Sequence, residues 1–305
     1  MSASTPLNRT GRRVVQRLTS TLAAVLLALG MTLAVAHPAT AQTTDTLYIT
    51  EYGAGRIISV PAAGGEPTVV AEGLANPHGI AISNDTLYVT EYGGQRVVSL
   101  PTNGGAPTVL SEFFAGPRNV AIAGDSLYIT GAQAGQIVSV PVQGGEYTLV
   151  PKDRPVIPYG IAAAGGTLYL TDLNEGQVLS LPTSGGTLTT LADLDGPWGI
   201  AVAGNTLYVT DTATDQVVSL PITGGQPTVL LDGLDNPQAV AVAGNTLYVT
   251  EAGASGRRVI ALPTTGGEPR VVASNLNFPY GVAVATTDSD PGRCWGSVCL
   301  PSSGS

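Results

Sequence analysis

Apolar residues beyond residue 45 occur in short runs, separated by turns rich in Gly, Pro, Asn and Asp. The runs return in a fixed order, L-Y-V-T, V-V-S-L, P-T-V-L and G-I-A-V-A. They are rich in β-branched and aromatic residues and show no helical spacing, which predicts strands. Apolar side chains at successive positions indicate strands that are buried on both faces.

The same pattern repeats every 39 to 41 residues. The decapeptide A-V-A-G-N-T-L-Y-V-T, for example, occurs at 201–210 and again at 241–250, and it predicts a hairpin that turns at Gly204 and Asn205. The motif L-Y-[VIL]-T begins at Leu47, Leu87, Leu127, Leu168, Leu207 and Leu247. Six copies of four short strands predict an all-β fold, a six-bladed β-propeller of four-stranded antiparallel blades over residues 42–285.

The order of strands within a blade follows from side-chain size. G-I-A-V-A has the small residues that strands near a central axis require, so we expect it to be innermost, with P-T-V-L outermost. The repeat begins at a second strand, Leu47 to Thr50, and ends at an innermost strand, Gly281 to Ala285. We therefore expect the C-terminal innermost strand to join the three N-terminal strands and close the ring without a free edge.

The motifs L-Y-V-T-[DE], V-V-S-L and P-x-G-I-A-V resemble NHL-type repeats. The L-Y-x-T-D core is also similar to the YWTD repeat of six-bladed receptor propellers, with Val, Ile or Leu in place of the Trp. The resemblance covers about 240 of the 305 residues and implies the propeller architecture. Such propellers include protein-binding modules, extracellular sensors, lactonases and lyases, so the resemblance does not select one function.

The two ends of the chain have a different composition from the repeats. Residues 1–41 combine four arginines, an apolar stretch from Leu18 to Ala36 and the A-x-A sequence at Ala39 to Ala41. This predicts a signal peptide, with an uncleaved membrane anchor as the alternative, and hence a secreted or envelope-associated protein. The polar segment 286–305 is expected to be a flexible tail with a Cys294–Cys299 disulfide, the alternative being half of a metal site.

Charge excludes two classes of partner. Removal of residues 1–41 leaves nine basic and 22 acidic side chains, a net charge of about −13. Nucleic acids and anionic membrane surfaces both require a basic patch, so neither is expected to bind. We expect a monomer that does not insert into membranes once the signal peptide is removed, and that binds a protein, peptide or carbohydrate.

The repeats disagree most clearly at one position, the residue after the Pro that precedes each innermost strand. The six copies of this position should surround one mouth of the central channel. A residue needed only for packing should be the same in every blade, as the Tyr of L-Y-[VIL]-T is, whereas this residue varies. We therefore predict a ligand-binding ring there, with neutral drift as the alternative. The ring consists of His78, Arg118, Tyr159, Trp198, Gln238 and Tyr280, with Asn119, which replaces the usual Gly, beside it.

Carboxylates follow L-Y-[VIL]-T in five of the six blades, on the same side as the ring. They suit either of two roles: ligands of a divalent cation, Ca²⁺ or Mg²⁺, or acceptors for backbone N–H groups of a tight turn, as in the YWTD family. In the third blade Gly131 stands at this position. The candidate metal ligands are Glu51, Glu91, Asp172, Asp211 and Glu251.

Three functions remain open on the sequence. Tyr, Trp and Arg in the ring favour a binding module, because these residues dominate binding hot spots. The second is a metal-assisted lactonase or lyase, in which His78 is the catalytic base and Glu51, Glu91 and Asn119 lie near a cation. The third is a structural envelope protein. Nucleophile-elbow, H-E-x-x-H and phosphate-loop motifs do not occur.

Overall fold

A computed structural model describes residues 45–112, 116–131, 133 and 135–286. Over these residues it contains 24 strands, arranged as six four-stranded antiparallel sheets. None of the described residues forms a helix that could cross a bilayer. The predicted signal peptide, the Cys294–Cys299 disulfide and the tail beyond Thr286 lie outside the described residues and stay predictions.

Each sheet is one blade, and five of the six are formed from consecutive strands. Blade 1 contains β1 (Thr46–Glu51), β2 (Arg56–Pro61), β3 (Thr68–Glu72) and, from the far end of the chain, β24 (Pro279–Ala285). Blade 2 contains β4 (Pro77–Ser83), β5 (Thr86–Glu91), β6 (Arg96–Pro101) and β7 (Thr108–Glu112). Blade 3 contains β8 (Pro117–Ala123), β9 (Ser126–Gly131), β10 (Gln136–Pro141) and β11 (Thr148–Leu149).

The second half of the ring has the same organisation. Blade 4 contains β12 (Pro158–Ala164), β13 (Thr167–Asp172), β14 (Gln177–Pro182) and β15 (Thr189–Asp193). Blade 5 contains β16 (Pro197–Ala203), β17 (Thr206–Asp211), β18 (Gln216–Pro221) and β19 (Thr228–Leu231). Blade 6 contains β20 (Pro237–Ala243), β21 (Thr246–Glu251), β22 (Arg258–Pro263) and β23 (Arg270–Ala273).

The ring closes as the sequence predicts. Strand β24 pairs antiparallel with β1, with Thr46 opposite Ala285 and Ile49 opposite Val282. The hairpin between β16 and β17 is also confirmed, because Ala203 pairs with Thr206 and Gly204 takes the positive φ of 55° that such a two-residue turn requires.

Over the part of the chain that the structure describes, the core consists of six hydrophobic clusters, and each cluster lies between two neighbouring blades. This arrangement explains the apolar runs, because both faces of an inner strand pack against another blade. The repeated tyrosines belong to these clusters, as expected, and are at most 9% exposed. One cluster joins blade 6 to blade 1, so the closing interface is packed like the other five.

The threonine of L-Y-[VIL]-T joins each blade to the next. Its hydroxyl accepts a hydrogen bond of 2.7 to 3.0 Å from a backbone N–H of its own innermost strand. The same hydroxyl donates a bond of 2.6 to 2.8 Å to the carbonyl of the ring residue in the following blade. We call this closed set the threonine belt: Thr50, Thr90, Thr130, Thr171, Thr210 and Thr250, all fully buried.

Removing one hydroxyl from the threonine belt should be costly. In Thr210→Val, the N–H of Gly199 and the carbonyl of Gln238 would both lose a buried partner. We expect the free energy of unfolding to fall by about 2–6 kcal/mol, at 1–3 kcal/mol for each of the two unsatisfied groups. In Thr210→Ser, which retains the hydroxyl, the loss should stay near 1 kcal/mol. Urea denaturation measures both values, and equal losses in the two variants would contradict the role of the hydroxyl.

Candidate functional site

The six ring residues lie at the same place in their blades, one residue into the innermost strand. Each of their carbonyl oxygens accepts a hydrogen bond from the threonine belt, so the backbone of the ring is fixed by the blade interfaces. The position thus combines a constant backbone with variable side chains, which is the arrangement that a binding surface requires.

The structure brings five of the six ring residues into one connected group. The ring of His78 stacks on Tyr280, with centroids 4.8 Å apart and planes at 10°. On the other side, Tyr159 and Trp198 are in contact, with their centroids 4.6 Å apart. Arg118 lies between these two pairs and touches both.

The guanidinium of Arg118 is the centre of this group. Its Cζ lies 4.7 Å from the ring centroid of Tyr159 and 5.8 Å from that of Trp198, within the range of cation–π attraction. Its Nη1 lies 3.2 Å from Nε2 of His78, while its Nε is buried and has no hydrogen-bond partner among the described residues. None of the three ion pairs in the described part of the chain includes Arg118.

Two aromatic side chains that the sequence analysis missed complete the group. Tyr92 lies on Arg118, with its ring centroid 4.7 Å from the Cζ, and its hydroxyl accepts a bond of 2.6 Å from Gln133. Tyr52 packs edge-on against Tyr280, with centroids 4.9 Å apart. We call the seven residues together the mouth cluster: Tyr52, His78, Tyr92, Arg118, Tyr159, Trp198 and Tyr280.

The other two predicted ligand-binding residues lie outside this contact network. Gln238 is 2% exposed, and its side-chain amide donates to the carbonyl and side chain of Asn236, in its own blade. Asn119 is half-buried and packs against the backbone of the preceding blade; a Cβ on Gly79 would come within 2.7 Å of its Oδ1. A ligand-binding role for either residue therefore stays a prediction.

His78 is a neutral side chain at the base of the mouth cluster. Burial, and secondarily the charge of Arg118, lowers its pKa from 6.5 to about 3. Because a guanidinium can only donate hydrogen bonds, Nε2 is the acceptor and the ring proton belongs on Nδ1. A histidine with so low a pKa is a weak base near neutral pH, so the geometry favours the binding alternative over catalysis by His78.

The five predicted metal ligands are buried in separate blades, each at most 2% exposed. In blades 1, 2 and 6, one carboxylate oxygen accepts a backbone N–H and the other pairs with an arginine at the start of the next strand. In blade 5, both oxygens of Asp211 accept backbone N–H groups. The arginine partners of Glu51, Glu91 and Glu251 are Arg56, Arg96 and Arg258, respectively.

This pairing follows a rule that is visible in the sequence but was missed. Where the carboxylate is Glu, the residue opposite on the next strand is Arg; where it is Asp, or Gly in blade 3, the residue is Gln. The covariation favours the turn-stabilising role. No three His, Cys, Asp or Glu side chains of the described residues come together to hold a metal ion, so the cation role is left as a prediction without geometric support.

Comparison with known proteins adds to this picture at the level of fold. No protein-family model and no curated protein matches the chain. A chain of the nidogen/laminin complex is similar, with 22% identity, a TM-score of 0.71, and coverage of 79% of this chain and 98% of that one. The virginiamycin B lyase of Staphylococcus aureus is also similar, with 17% identity, a TM-score of 0.60, and coverage of 79% of this chain and 88% of that one.

A streptogramin B lyase gives the same result, with 16% identity, a TM-score of 0.60, and coverage of 81% of this chain and 92% of that one. The chain is a six-bladed β-propeller whose fold is similar to that of these structures. At identities of 22% and below, the likeness concerns the fold alone, and the function of this propeller has to be inferred from its own side chains.

The mouth of this propeller supplies several chemically distinct groups. It offers one cation with an unused N–H, aromatic faces on both sides of that cation, and phenol hydroxyls. Burial raises the pKa of Tyr280, so its hydroxyl remains protonated and able to donate at neutral pH. These groups can hold an anion and stack against a flat or apolar surface.

Proposed function

We propose that this protein is a ligand-binding module whose mouth cluster captures a ligand that carries an anionic group. The observation that carries the proposal is the guanidinium of Arg118, which is enclosed by aromatic rings and has no carboxylate partner among the described residues.

No carboxylate among the described residues neutralises the charge of Arg118. The whole chain has 22 acidic and 13 basic residues, and the three ion-paired arginines each face a carboxylate. Arg118 instead faces neutral rings and the neutral His78, and no described residue bonds to its buried Nε. A carboxylate or phosphate group of a ligand would supply the missing charge and a charge-assisted hydrogen bond.

The aromatic side chains provide contact area around that charge. Tyr159, Trp198 and Tyr280 are half-buried, so one part of each ring packs on the protein and another part faces solvent. Trp, Tyr and Arg are the residues that most often dominate binding energy, and rigid rings lose little entropy when they bind. An acidic carbohydrate or a peptide carboxylate fits this combination of a cation and flat apolar faces.

The similar folds include both protein assembly and catalysis, since one belongs to a nidogen/laminin complex and two are lyases. They therefore do not distinguish the two functions. The enzymatic alternative has less support from the geometry, because the ring nitrogen Nε2 of His78 faces a guanidinium rather than a cavity or a carboxylate.

Trp198 provides a direct test of the proposal. The sequence has only two tryptophans, so Trp295→Phe leaves the indole N–H of Trp198 as a single nuclear magnetic resonance signal. We expect galacturonate and benzoate to shift this signal saturably, and their uncharged counterparts galactose and benzamide to shift it far less. Arg118→Gln should weaken binding of the acids by roughly 10- to 100-fold, the loss of about 1.5–3 kcal/mol for a hydrogen bond to a charged group.

The matched control is Arg257→Gln. Arg257 also stacks on an aromatic ring, with its Cζ 3.7 Å from the centroid of Phe278, but it is not part of the mouth cluster. This variant should bind the acids as the wild type does. Equal binding of acids and neutral counterparts, or unchanged binding in Arg118→Gln, would contradict the proposal.

A further inference from the structure

The loop between β21 and β22 in blade 6 is longer than the corresponding loop in the other five blades. Seven positions separate Glu251 from its register partner Arg258, whereas five separate Glu51 from Arg56. The other four blades have the same spacing as blade 1. Insertions in surface loops often carry function, so a loop that is longer in one blade alone indicates a role that the other blades do not share.

The longer loop places an arginine where the other blades have a left-handed residue. In blades 1 to 5, the residue just before the third strand has a φ between 52° and 65°; these residues are Gly55, Gln95, Gly135, Gly176 and Asp215. Arg257 occupies this position in blade 6, and its carbonyl accepts the N–H of Leu276 as that of Gly55 accepts the N–H of Leu74. Arg257 is not left-handed, so the insertion accommodates a long side chain here without backbone strain.

No described residue neutralises the guanidinium of Arg257. Its Cζ lies 3.7 Å from the ring centroid of Phe278, it forms none of the three ion pairs, and its Nε has no hydrogen-bond partner in the described part of the chain. The carboxylates nearby are already engaged, because Glu251 pairs with Arg258 and Asp235 accepts a backbone N–H of the loop. A stacked guanidinium can still donate its in-plane N–H groups to an oxyanion.

The ring under this guanidinium is held in a conformation that is unfavourable for its residue type. Phe278 has a φ of 52°, which bulky side chains rarely adopt, and it is 37% exposed. The residues that precede the innermost strands of blades 2 and 6, Asn76 and Asn236, have φ values of 52° and 54°, which Asn tolerates better. A strained and exposed Phe that contacts an unpaired arginine indicates a role in function rather than in folding.

A cavity of about 520 Å³ lies beside Arg257, between the loop and the connection that leads from β23 to β24. Ser255, Ser274 and Asn275 are among the residues that line it, so hydroxyl and amide donors accompany the guanidinium. Arg258 lines it too, but its charge is paired with Glu251. No acidic residue is among the described residues of the lining, and the volume lies within the range of roughly 300–1,000 Å³ of small-molecule sites.

We propose that this cavity binds the phosphate or sulfate group of a ligand, with Arg257 as the cationic contact. Such a group has three terminal oxygens that accept hydrogen bonds, and the donors here come from two separate segments, the loop with Ser255 and the connection with Ser274 and Asn275. A carboxylate has only two oxygens, both in one plane, and satisfies fewer of these donors. The site is separate from the mouth cluster, since none of the seven mouth residues lines the cavity.

Glucose 6-phosphate and glucose 6-sulfate are the probes, and the backbone N–H signals of Ser274 and Asn275 are the reporters. At least one ester should shift these signals saturably, and the response to each ester shows which group the cavity takes. Glucose should not shift them, and glucuronate, the matching carboxylate, should bind roughly tenfold more weakly or worse. The mouth is read separately at Trp198, so the two sites can fail independently.

Arg257→Gln should weaken ester binding at these reporters by roughly tenfold or more, because a hydrogen bond to a charged group is lost. The matched control is Arg154→Gln, which removes the same charge in blade 4. Arg154 bonds to Gln177 and Thr190 and does not line the cavity, so this variant should bind the esters as the wild type does.

Phe278→Asn separates binding from folding and covers the case in which Arg257→Gln does not fold. Asn has this φ before Pro77, so the melting temperature should stay the same or rise, while loss of the ring under Arg257 weakens ester binding. The proposal is overturned if neither ester shifts the reporters, if glucose or glucuronate binds as tightly as the esters, or if a well-folded Arg257→Gln binds them unchanged. A lower melting temperature with unchanged binding in Phe278→Asn would also overturn it, because Phe278 would then serve packing alone.

Discussion

A chain that ends at Phe278 is expected to lose the native fold, although it keeps 23 of the 24 strands. The missing strand β24 is the innermost strand of blade 1, and its Val282, Ala283 and Val284 are at most 4% exposed. At about 1.5–3 kcal/mol for each buried valine, the two valines alone contribute roughly 3–6 kcal/mol, which is comparable to the whole stability of a typical domain. Loss of β24 would also leave the inner edge of β1 unpaired.

Circular dichroism during heating tests this expectation. The shortened chain should show no cooperative transition and should bind a dye for exposed apolar surface, whereas the full chain should melt cooperatively. A chain that ends at Thr286 is the control, because it keeps every described strand, and its melting temperature should lie within a few degrees of that of the full chain. Cooperative melting at an unchanged temperature in the Phe278 truncation would show that closure by β24 is not needed.

The second large effect is a loss of stability in mild acid through His78. Burial lowers the pKa of His78 to about 3 in the folded protein, against 6.5 for an unperturbed histidine. Between these values the unfolded chain binds a proton that the native protein excludes, so the free energy of unfolding decreases as the pH falls from 6.5 towards 3. At about 1.4 kcal/mol per pH unit, the total reaches roughly 5 kcal/mol.

His78→Gln isolates this contribution. Gln stands at the equivalent position in blade 6, as Gln238, and its amide oxygen can accept the hydrogen bond from Arg118 without titrating. Urea denaturation between pH 7 and pH 4.5, with chains that start at Gln42 and so lack His37, should show a steeper loss in the wild type. The carboxylates titrate in both proteins, so their contribution cancels when the free energies of unfolding of the wild type and the variant are subtracted. Parallel curves would contradict the buried, neutral state of His78.

The internal repeat allowed most of the fold to be predicted. Six copies at one spacing predicted the number of blades. The small side chains of the G-I-A-V-A segment predicted that this strand is the innermost one. The first and last strands predicted closure, which β24 and β1 confirm. The same comparison between copies found the ring, because it separated the constant Tyr of L-Y-[VIL]-T from the variable residue after Pro. Five of those six variable side chains are in contact.

Other features were equally visible but were not extracted. The Thr of L-Y-[VIL]-T is identical in all six copies, and this should have marked it as structural before its two hydrogen bonds were seen. Tyr52 and Tyr92 follow the carboxylates directly, at a second variable position on the same face. The carboxylate position and the first residue of the next strand vary together, Glu with Arg and Asp with Gln. This pattern is visible only when both positions are compared across the six copies at once.

One difference between two blades lay beyond sequence reasoning for a physical reason. Asp172 and Asp211 occupy the same repeat position and are the same residue. Both oxygens of Asp211 accept backbone N–H groups, whereas Oδ2 of Asp172 is buried without a hydrogen-bond partner among the described residues. The difference depends on the path of the backbone that leads into each innermost strand, because that path decides whether a backbone N–H lies within hydrogen-bonding distance of the second oxygen.

The pairing of Thr46 with Ala285 has a practical consequence for handling the protein. Strand β24 begins at the mouth with Pro279 and Tyr280 and runs away from it, so both ends of the propeller lie on the far side of the disc. A tether added before residue 45 or after residue 286 would thus attach the molecule by the face opposite the mouth cluster. Immobilised on a sensor chip through either terminus, the propeller would present Arg118 and its surrounding rings outward to the ligand solution.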